Sequence, residues 1–230
     1  MDAALTILVA AAVTFVGTHF ALSHPLRGAV VGALGENGFM GVYSLVALAS
    51  FVWMVFAFRA APGLAAPLWD GQGEPAWTMA SALTLLAAVL LIGSYQRNPA
   101  MLMPADKASA IAQAGPHGVF HVTRHPMMWA MALWAAAHAL VAPTPRVLVL
   151  TAAIALLALV GSHMQDRKKE ALMGDAWAGW EARTSFWPRL GGLTRVGAVP
   201  WLGGIAFWLA ASWAHAWLAS VPAGIWRWLG

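Results

Sequence analysis

Six stretches of roughly 20 apolar residues recur along this chain, and that recurrence constrains the fold more than any other feature of the sequence. They run from Ala3 to Leu22, from Phe39 to Phe58, from Ala76 to Ser94, from just after Pro126 to near Ala142, from Val147 to about Met164, and from Val199 to Leu218. Each is close to the length an α-helix needs to cross about 30 Å of hydrocarbon. The fourth is the shortest and suits a tilted or sheltered helix. Composition closes off the soluble alternative. Of 230 residues 60% are hydrophobic and 10% charged, whereas a water-facing domain carries about a quarter charged residues. Lipid offers no partner for backbone N–H and C=O groups, so such spans must be helical. The expected fold is all-α: a polytopic membrane bundle of about six transmembrane helices, forming a single integral membrane domain over residues 1–230.

The basic residues orient that bundle. Ten of the 13 Lys and Arg (Arg27; Arg97, Lys107 and Arg124; Arg167, Lys168, Lys169, Arg183, Arg189 and Arg195) follow spans one, three and five. The other side has Arg59, Arg146 and Arg227. The positive-inside bias therefore predicts cytoplasmic loops at 23–38, 95–125 and 165–198, with both termini outside, in a bacterial-type inner membrane. No Lys or Arg precedes the first apolar run, so that run reads as a retained helix and not as a cleaved signal. The formal net charge of +4 follows this topogenic pattern and does not point to nucleic acid. The expected partner is membrane lipid. Trp69, Trp77, Trp187, Trp201 and Trp217 lie near span ends, where interfacial belts form, and Ile225–Trp228 suits a headgroup-level anchor.

Two of the basic segments are longer than turns. Residues 95–125 contain the breakers Asn98-Pro99, Pro104 and Gly115-Pro116. Residues 165–198 begin Gln165-Asp166-Arg167-Lys168-Lys169-Glu170 and continue with Leu172, Trp177 and Trp180 among polar residues. That pattern predicts an amphipathic helix continuing from the fifth span along the membrane surface. Asp166 with Arg167 to Lys169 is placed to cap a pocket under the fourth span.

The chain has no cysteine, which removes disulfides, thiolate-bound metals, iron–sulfur clusters and cysteine nucleophiles. It has eight histidines. His19, His121, His125 and His163 fall at the cytoplasmic ends of spans, and His24 and His117 in the adjoining loops. His138 lies about 20 Å deeper than His125, at about 1.5 Å per helical residue, and His215 is also in the outer half. A lone His at a span end is most often an interfacial anchor, but ionisable residues inside spans are costly and tend to be functional. His19 and His125 come from different spans at similar depth. Such a pair suits either two polar helix ends or two ligands on opposite faces of a haem iron, and spacing does not choose between them. Thr123-Arg124-His125-Pro126 opens the fourth span. Proline in the first turn, free backbone N–H groups and Arg124 together make either an anion site beside a histidine or an ordinary helix start with a topogenic arginine.

At these residues the chain resembles the NnrU family of membrane proteins, which includes the 15-cis-zeta-carotene isomerases. Three blocks carry the resemblance, across residues 18 to 188. The first is Thr18-His19-Phe20-Ala21-Leu22-Ser23 through Pro25-Leu26-Arg27, then Leu34-Gly35-Glu36 and Gly41-Val42-Tyr43-Ser44-Leu45. The second is His121-Val122-Thr123-Arg124-His125-Pro126-Met127-Met128-Trp129, continuing through Leu133-Trp134 to Ala137-His138. The third runs from Gly174 through Trp177 and Trp180 to Arg183-Thr184-Ser185 and Pro188.

The resemblance implies a helical membrane protein and, in the isomerase branch, a haem b held by two histidines. His19 and His125 match those metal ligands, and His121 and His138 match other histidines of that branch. Arg27 and Arg124 would then pair with the anionic propionates. The implied activity is redox-gated isomerisation of an apolar polyene or a related redox role. For the bacterial branch the alternative is a non-enzymatic factor supporting nitrite and nitric oxide reduction. No catalytic residue is assigned. A weaker similarity connects Arg124-His125-Pro126 and the later Glu, Gly, aromatic and Pro residues with the isoprenylcysteine and phospholipid methyltransferases, which bind S-adenosylmethionine. The chain departs from that group at Met127-Met128, where an aromatic is usual, and at Lys169-Glu170, where a pair of carboxylates is expected.

Overall fold

The computed structural model describes residues 2–63 and 66–229. The helix α1 (Ala3–Ser23) starts behind Asp2, whose carboxylate accepts the Ala4 N–H. After a turn through Pro25 the chain enters α2 (Arg27–Ala60), which is interrupted at Gly35. There φ is +70° and ψ 174°, a conformation glycine alone adopts without strain. Residues 27–34 are thus already helical, where the sequence pattern predicted a loop to residue 38. Arg27 Nη2 donates to both carboxylate oxygens of Glu36 across the kink, at 2.8 and 3.0 Å, so the charges that interrupt the apolar pattern face each other.

The helix α3 (Glu74–Ser94) carries Pro75 in its first turn, a position where the missing N–H costs nothing. A short α4 (Ala105–Ala114) follows Pro104, and a tight 3-10 turn at Gly118–His121 leads to α5 (Pro126–Val141). The next helix, α6 (Pro145–Met173), runs well past the predicted fifth span. It carries its polar end without a break to Gly174, where φ is +53°, and a separate short helix α7 (Asp175–Arg183) follows. The predicted amphipathic extension is therefore two pieces, the straight end of α6 and α7 set off from it by Gly174. A second 3-10 stretch, Leu190–Arg195, precedes α8 (Ala198–Ala219), and α9 (Trp226–Leu229) closes the described chain. The anchor predicted at 225–228 coincides with α9. There Trp228 Nε1 donates to Glu74 at 2.7 Å, and the Arg227 guanidinium lies 4.2 Å from the centre of the Trp77 ring.

No strand occurs among the described residues. Five helices (α1, α2, α3, α6 and α8) are long and apolar enough to cross a membrane. The sixth, α5, has 16 residues, about 24 Å at 1.5 Å per residue, and falls short of the hydrocarbon thickness. In packing, α1 lies against α2 and α6, α5 lies between α3 and α6, and α8 lies on α3. Glycines set the last of these distances: a Cβ on Gly204 would sit 2.6 Å from the Val89 Cα, and one on Gly203 2.9 Å from Ile92. Such close backbone approach drives helix association in lipid, where apolar area alone gives no net gain. The surface is correspondingly apolar, with Val13, Leu45, Leu48, Phe56 and Leu202 exposed. Inside, hydroxyls return to the carbonyl one turn back, as Ser50 does to Val46, Thr151 to Val147 and Ser162 to Ala158, so the hydroxyl is bonded within its own helix.

The segments 24–26, 95–125 and 174–197 gather at one end, hereafter the basic end. Their core is Leu90, Phe120, Val122, Trp177 and Trp180. At the opposite end Trp77, Ala80, Ala137 and Val141 pack together.

Candidate functional site

The second and third blocks of the resemblance converge in a buried ionic clamp. Pro126 starts α5, so His125 stands outside the helix in the N-cap position. Its Nε2 lies 2.7 Å from Asp166 Oδ1 on α6. Asp166 also accepts from Arg124, at 2.6 Å from Nη2 and 3.0 Å from Nε on Oδ2. The His125 and Asp166 side chains are 0% and 1% exposed. Arg124 further pairs with Glu181 of α7 at 3.1 Å and lies over the Phe186 ring. One carboxylate thus ties the start of α5 to α6, and Arg124 carries the tie on to α7.

Backbone bonds reinforce the clamp. The Arg124 N–H donates to Ser185, and the Arg189 N–H to Val122. Thr123, fully buried, donates its hydroxyl to Phe186 O at 2.8 Å and accepts the His125 N–H at 3.2 Å. Trp129 Nε1 donates to the same Phe186 carbonyl. The string Thr123-Arg124-His125-Pro126 is therefore a joint between distant parts of the chain. A carboxylate can only accept, so the His125 proton facing it sits on Nε2. The other ring nitrogen, Nδ1, is buried without a partner.

His19 is held differently. Its Nδ1 lies 2.6 Å from Phe15 O, one turn back in α1. A carbonyl only accepts, so Nδ1 carries the proton and Nε2 keeps a free lone pair. The ring is half-buried, packed on Phe15 and edge-on to Tyr43 with ring centres 5.6 Å apart. Tyr43 in turn lines an open crevice at the basic end, together with Ser23, Arg27, Phe39, Lys168 and Lys169. A neighbouring hollow shares Ser23, Arg27 and Lys168 and adds His24, His163 and Arg167. Two cations, Arg27 and Lys168, therefore line both hollows. Arg27 meets Glu36, and Lys168 has no ion-pair partner among the described residues.

Of the four expected cofactor residues, Arg124 and His125 belong to the clamp, Arg27 lines the crevice, and His19 stands behind Tyr43, which lines it. Helices α1 and α5 are not a packed pair among the described residues; each packs on α6, which stands between them. The sequence leaves Glu181 unassigned and places Asp166 to Lys169 under the fourth span, where Asp166 meets His125. Lys169 is 5% exposed and its ammonium donates to Pro99 O at 2.8 Å and Met101 O at 3.1 Å. With Gln165, which donates to Ala100 O at 2.6 Å, it fastens the 99–101 loop to α6. The available signal was the Asn98-Pro99 turn, whose carbonyls need donors from elsewhere. His117 bonds to Gln96 O through Nε2, and His24 to Met164 O. His121 is held below the usual imidazole pKa by partial burial and by the nearby Arg195 and His117.

Arranged this way, the chain is a polytopic helical membrane protein with its polar side chains concentrated at one end. It belongs to the NnrU family: the family model, NnrU protein, matches residues 7–223. No match is found among curated proteins or among solved structures.

No group of three or more His, Asp or Glu that could hold a bare metal ion occurs among the described residues. For the haem that the resemblance implies, His19 has what an axial ligand needs: a protonated, anchored Nδ1 and a free Nε2. His125 does not offer the same in this arrangement, since Nε2 is committed to Asp166 and Nδ1 is enclosed.

Proposed function

We propose that this protein binds haem b at its basic end, with His19 as an axial ligand and with Arg27 and Lys168 as partners for the propionates. One observation carries the reading: the His19 ring is fixed through Nδ1 to Phe15 O, which leaves Nε2 free. His19 is in ring contact with Tyr43, which lines the same crevice as Arg27 and Lys168. The family resemblance points to the same residue. His125, the second ligand that the resemblance implies, is available only if its bond to Asp166 is given up. Haem at such a site would supply one-electron redox chemistry. A redox-gated isomerase of an apolar polyene is the activity the resemblance attaches to it, and an apolar substrate would arrive through the lipid that surrounds the bundle.

Absorption spectra of protein purified from haem-replete cells test this. A Soret band and a b-type pyridine haemochrome are expected, and both should disappear in His19→Ala. In His125→Ala the band should remain if His125 is solely part of the clamp. A shift from low-spin to high-spin would show that His125 exchanges onto the iron. A wild-type protein without a Soret band, or an unchanged spectrum in His19→Ala, overturns the proposal.

The methyltransferase reading gains nothing from the geometry. Lys169, in the place of an expected carboxylate, holds two loop carbonyls. Calorimetric titration with S-adenosylmethionine should show no saturable micromolar binding.

A further inference from the structure

The strap that joins α7 to α8 is tied down on one side and bare on the other. Its inner side is stapled to the mouth of α5 and the turn before it. Ser185 O takes the Arg124 N–H, Phe186 O takes the Thr123 hydroxyl and Trp129 Nε1, and the Arg189 N–H reaches Val122 O at 2.9 Å. Further along, Gly192 packs directly on the His121 backbone, and Val196 is buried in the core of the basic end. The outer side carries Trp187 and Leu190, 66% and 68% exposed, and the exposed Arg189 and Arg195. The staples fix the backbone that presents these four side chains. Large apolar groups held outward on a fixed backbone are unfavourable in water and mark a surface that something covers.

Charge and position select the cover. Arg27, Arg167 and Arg227 each meet a glutamate. The Arg189 and Arg195 side chains have no such partner among the described residues, and no Asp or Glu follows Glu181 in the sequence. Helix α8, long and apolar enough to cross a membrane, begins just beyond Arg195, and its first turns expose Val199 and Leu202. The strap therefore lies where hydrocarbon gives way to headgroups. At that depth a guanidinium pairs with phosphate oxygens, while an indole and a leucine lie against the upper acyl chains. We propose that Trp187, Arg189, Leu190 and Arg195 form a docking surface for anionic phospholipid in the leaflet at the basic end. Trp187 also packs on Trp129 in the first turn of α5, so lipid gathered there sits at the mouth of the helix that falls short of the hydrocarbon thickness. The surface uses none of the residues assigned to haem.

The test is native mass spectrometry of the full-length protein in detergent, offered equal amounts of phosphatidylglycerol and phosphatidylcholine with matched chains. The wild type should retain phosphatidylglycerol at least about fivefold better, since each arginine beside an anionic lipid surface contributes roughly that factor. Arg189→Gln with Arg195→Gln should lose most of the preference and keep the melting temperature, because the staple at Arg189 uses the backbone N–H. Arg189→Lys with Arg195→Lys should restore it. Trp187→Ala should weaken both lipids alike, having removed apolar contact and no charge. Lys107→Gln takes away an exposed cation elsewhere at the basic end and should leave the preference as it is. His19→Ala should do the same, which separates this surface from the haem site. A wild type without preference, or a preference that survives in the double glutamine variant, overturns the inference. A dimer that Trp187→Ala dissolves would assign the surface to a second copy of the chain and overturn it as well.

Discussion

The clamp and the crevice sit at the same end of the bundle, are built from the same kinds of residue, and have opposite economies of hydrogen bonding. In the clamp most strong donors and acceptors meet one another: Asp166 takes both His125 and Arg124, and Thr123 and Trp129 share the Phe186 carbonyl, with His125 Nδ1 the buried exception. Around the crevice Arg27 and Lys169 are engaged, but two groups are left over. Lys168 has no ion-pair partner among the described residues, and His19, behind Tyr43, keeps a nitrogen free. The lesson is that a striking motif and an available site need not coincide. Groups that satisfy one another hold the fold, and groups left over are the ones a ligand can use.

Four substitutions would break or sharpen that contrast. Asp166→Ala should have the largest effect on stability, about 3–5 kcal/mol, because it strands Arg124 and His125 in a buried place without their carboxylate. Denaturant titration in detergent micelles measures it; a loss below about 1 kcal/mol would mean that the clamp is not structural. Thr123→Val comes next. It keeps the volume and removes a buried hydroxyl that makes two bonds, so about 1–3 kcal/mol is expected in the same titration.

In the crevice the order of effects reverses between stability and ligand. His19→Ala removes one intrahelical bond and should cost about 1 kcal/mol or less, yet it should abolish the haem spectrum. Equal losses of stability in His19→Ala and Asp166→Ala would erase the distinction between the two regions. Lys168→Gln is the smallest. It should leave the melting curve within about 0.5 kcal/mol of wild type while speeding haem transfer to apomyoglobin, if the ammonium holds a propionate. An unchanged transfer rate would remove Lys168 from the site.

Much of the architecture was legible because lipid enforces a length and a composition, and the spans show both. The start of α2 was not. Gly28, Gly32, Gly35 and Gly38 with Arg27 and Glu36 dilute the apolar run, and only the pairing of those two charges across a kink reveals a helix there. The continuity of α6 was half visible: the amphipathic pattern is real, but the break falls at Gly174, which a helical period does not mark. At the site, the depth of His19 and His125 could be read by counting residues, whereas the direction each ring faces could not. Which nitrogen is free depends on a carbonyl 4 residues away for His19 and a carboxylate 41 residues away for His125.

The clamp also has a place in the life of the chain before it is folded. Helix α5 is too short to be a comfortable span, and what pins its mouth, Asp166, lies 42 residues beyond Arg124. At a ribosomal pace of about 5–20 residues per second, α5 must wait roughly 2–8 s in or beside the insertion machinery before its fastening is made. During that interval Arg124 and His125 have no carboxylate partner, and the neighbour that holds α5 is α3, which precedes it in synthesis. A nascent chain arrested before Asp166 emerges should therefore leave α5 extractable or mis-inserted, while one arrested past Pro188 should hold it in place.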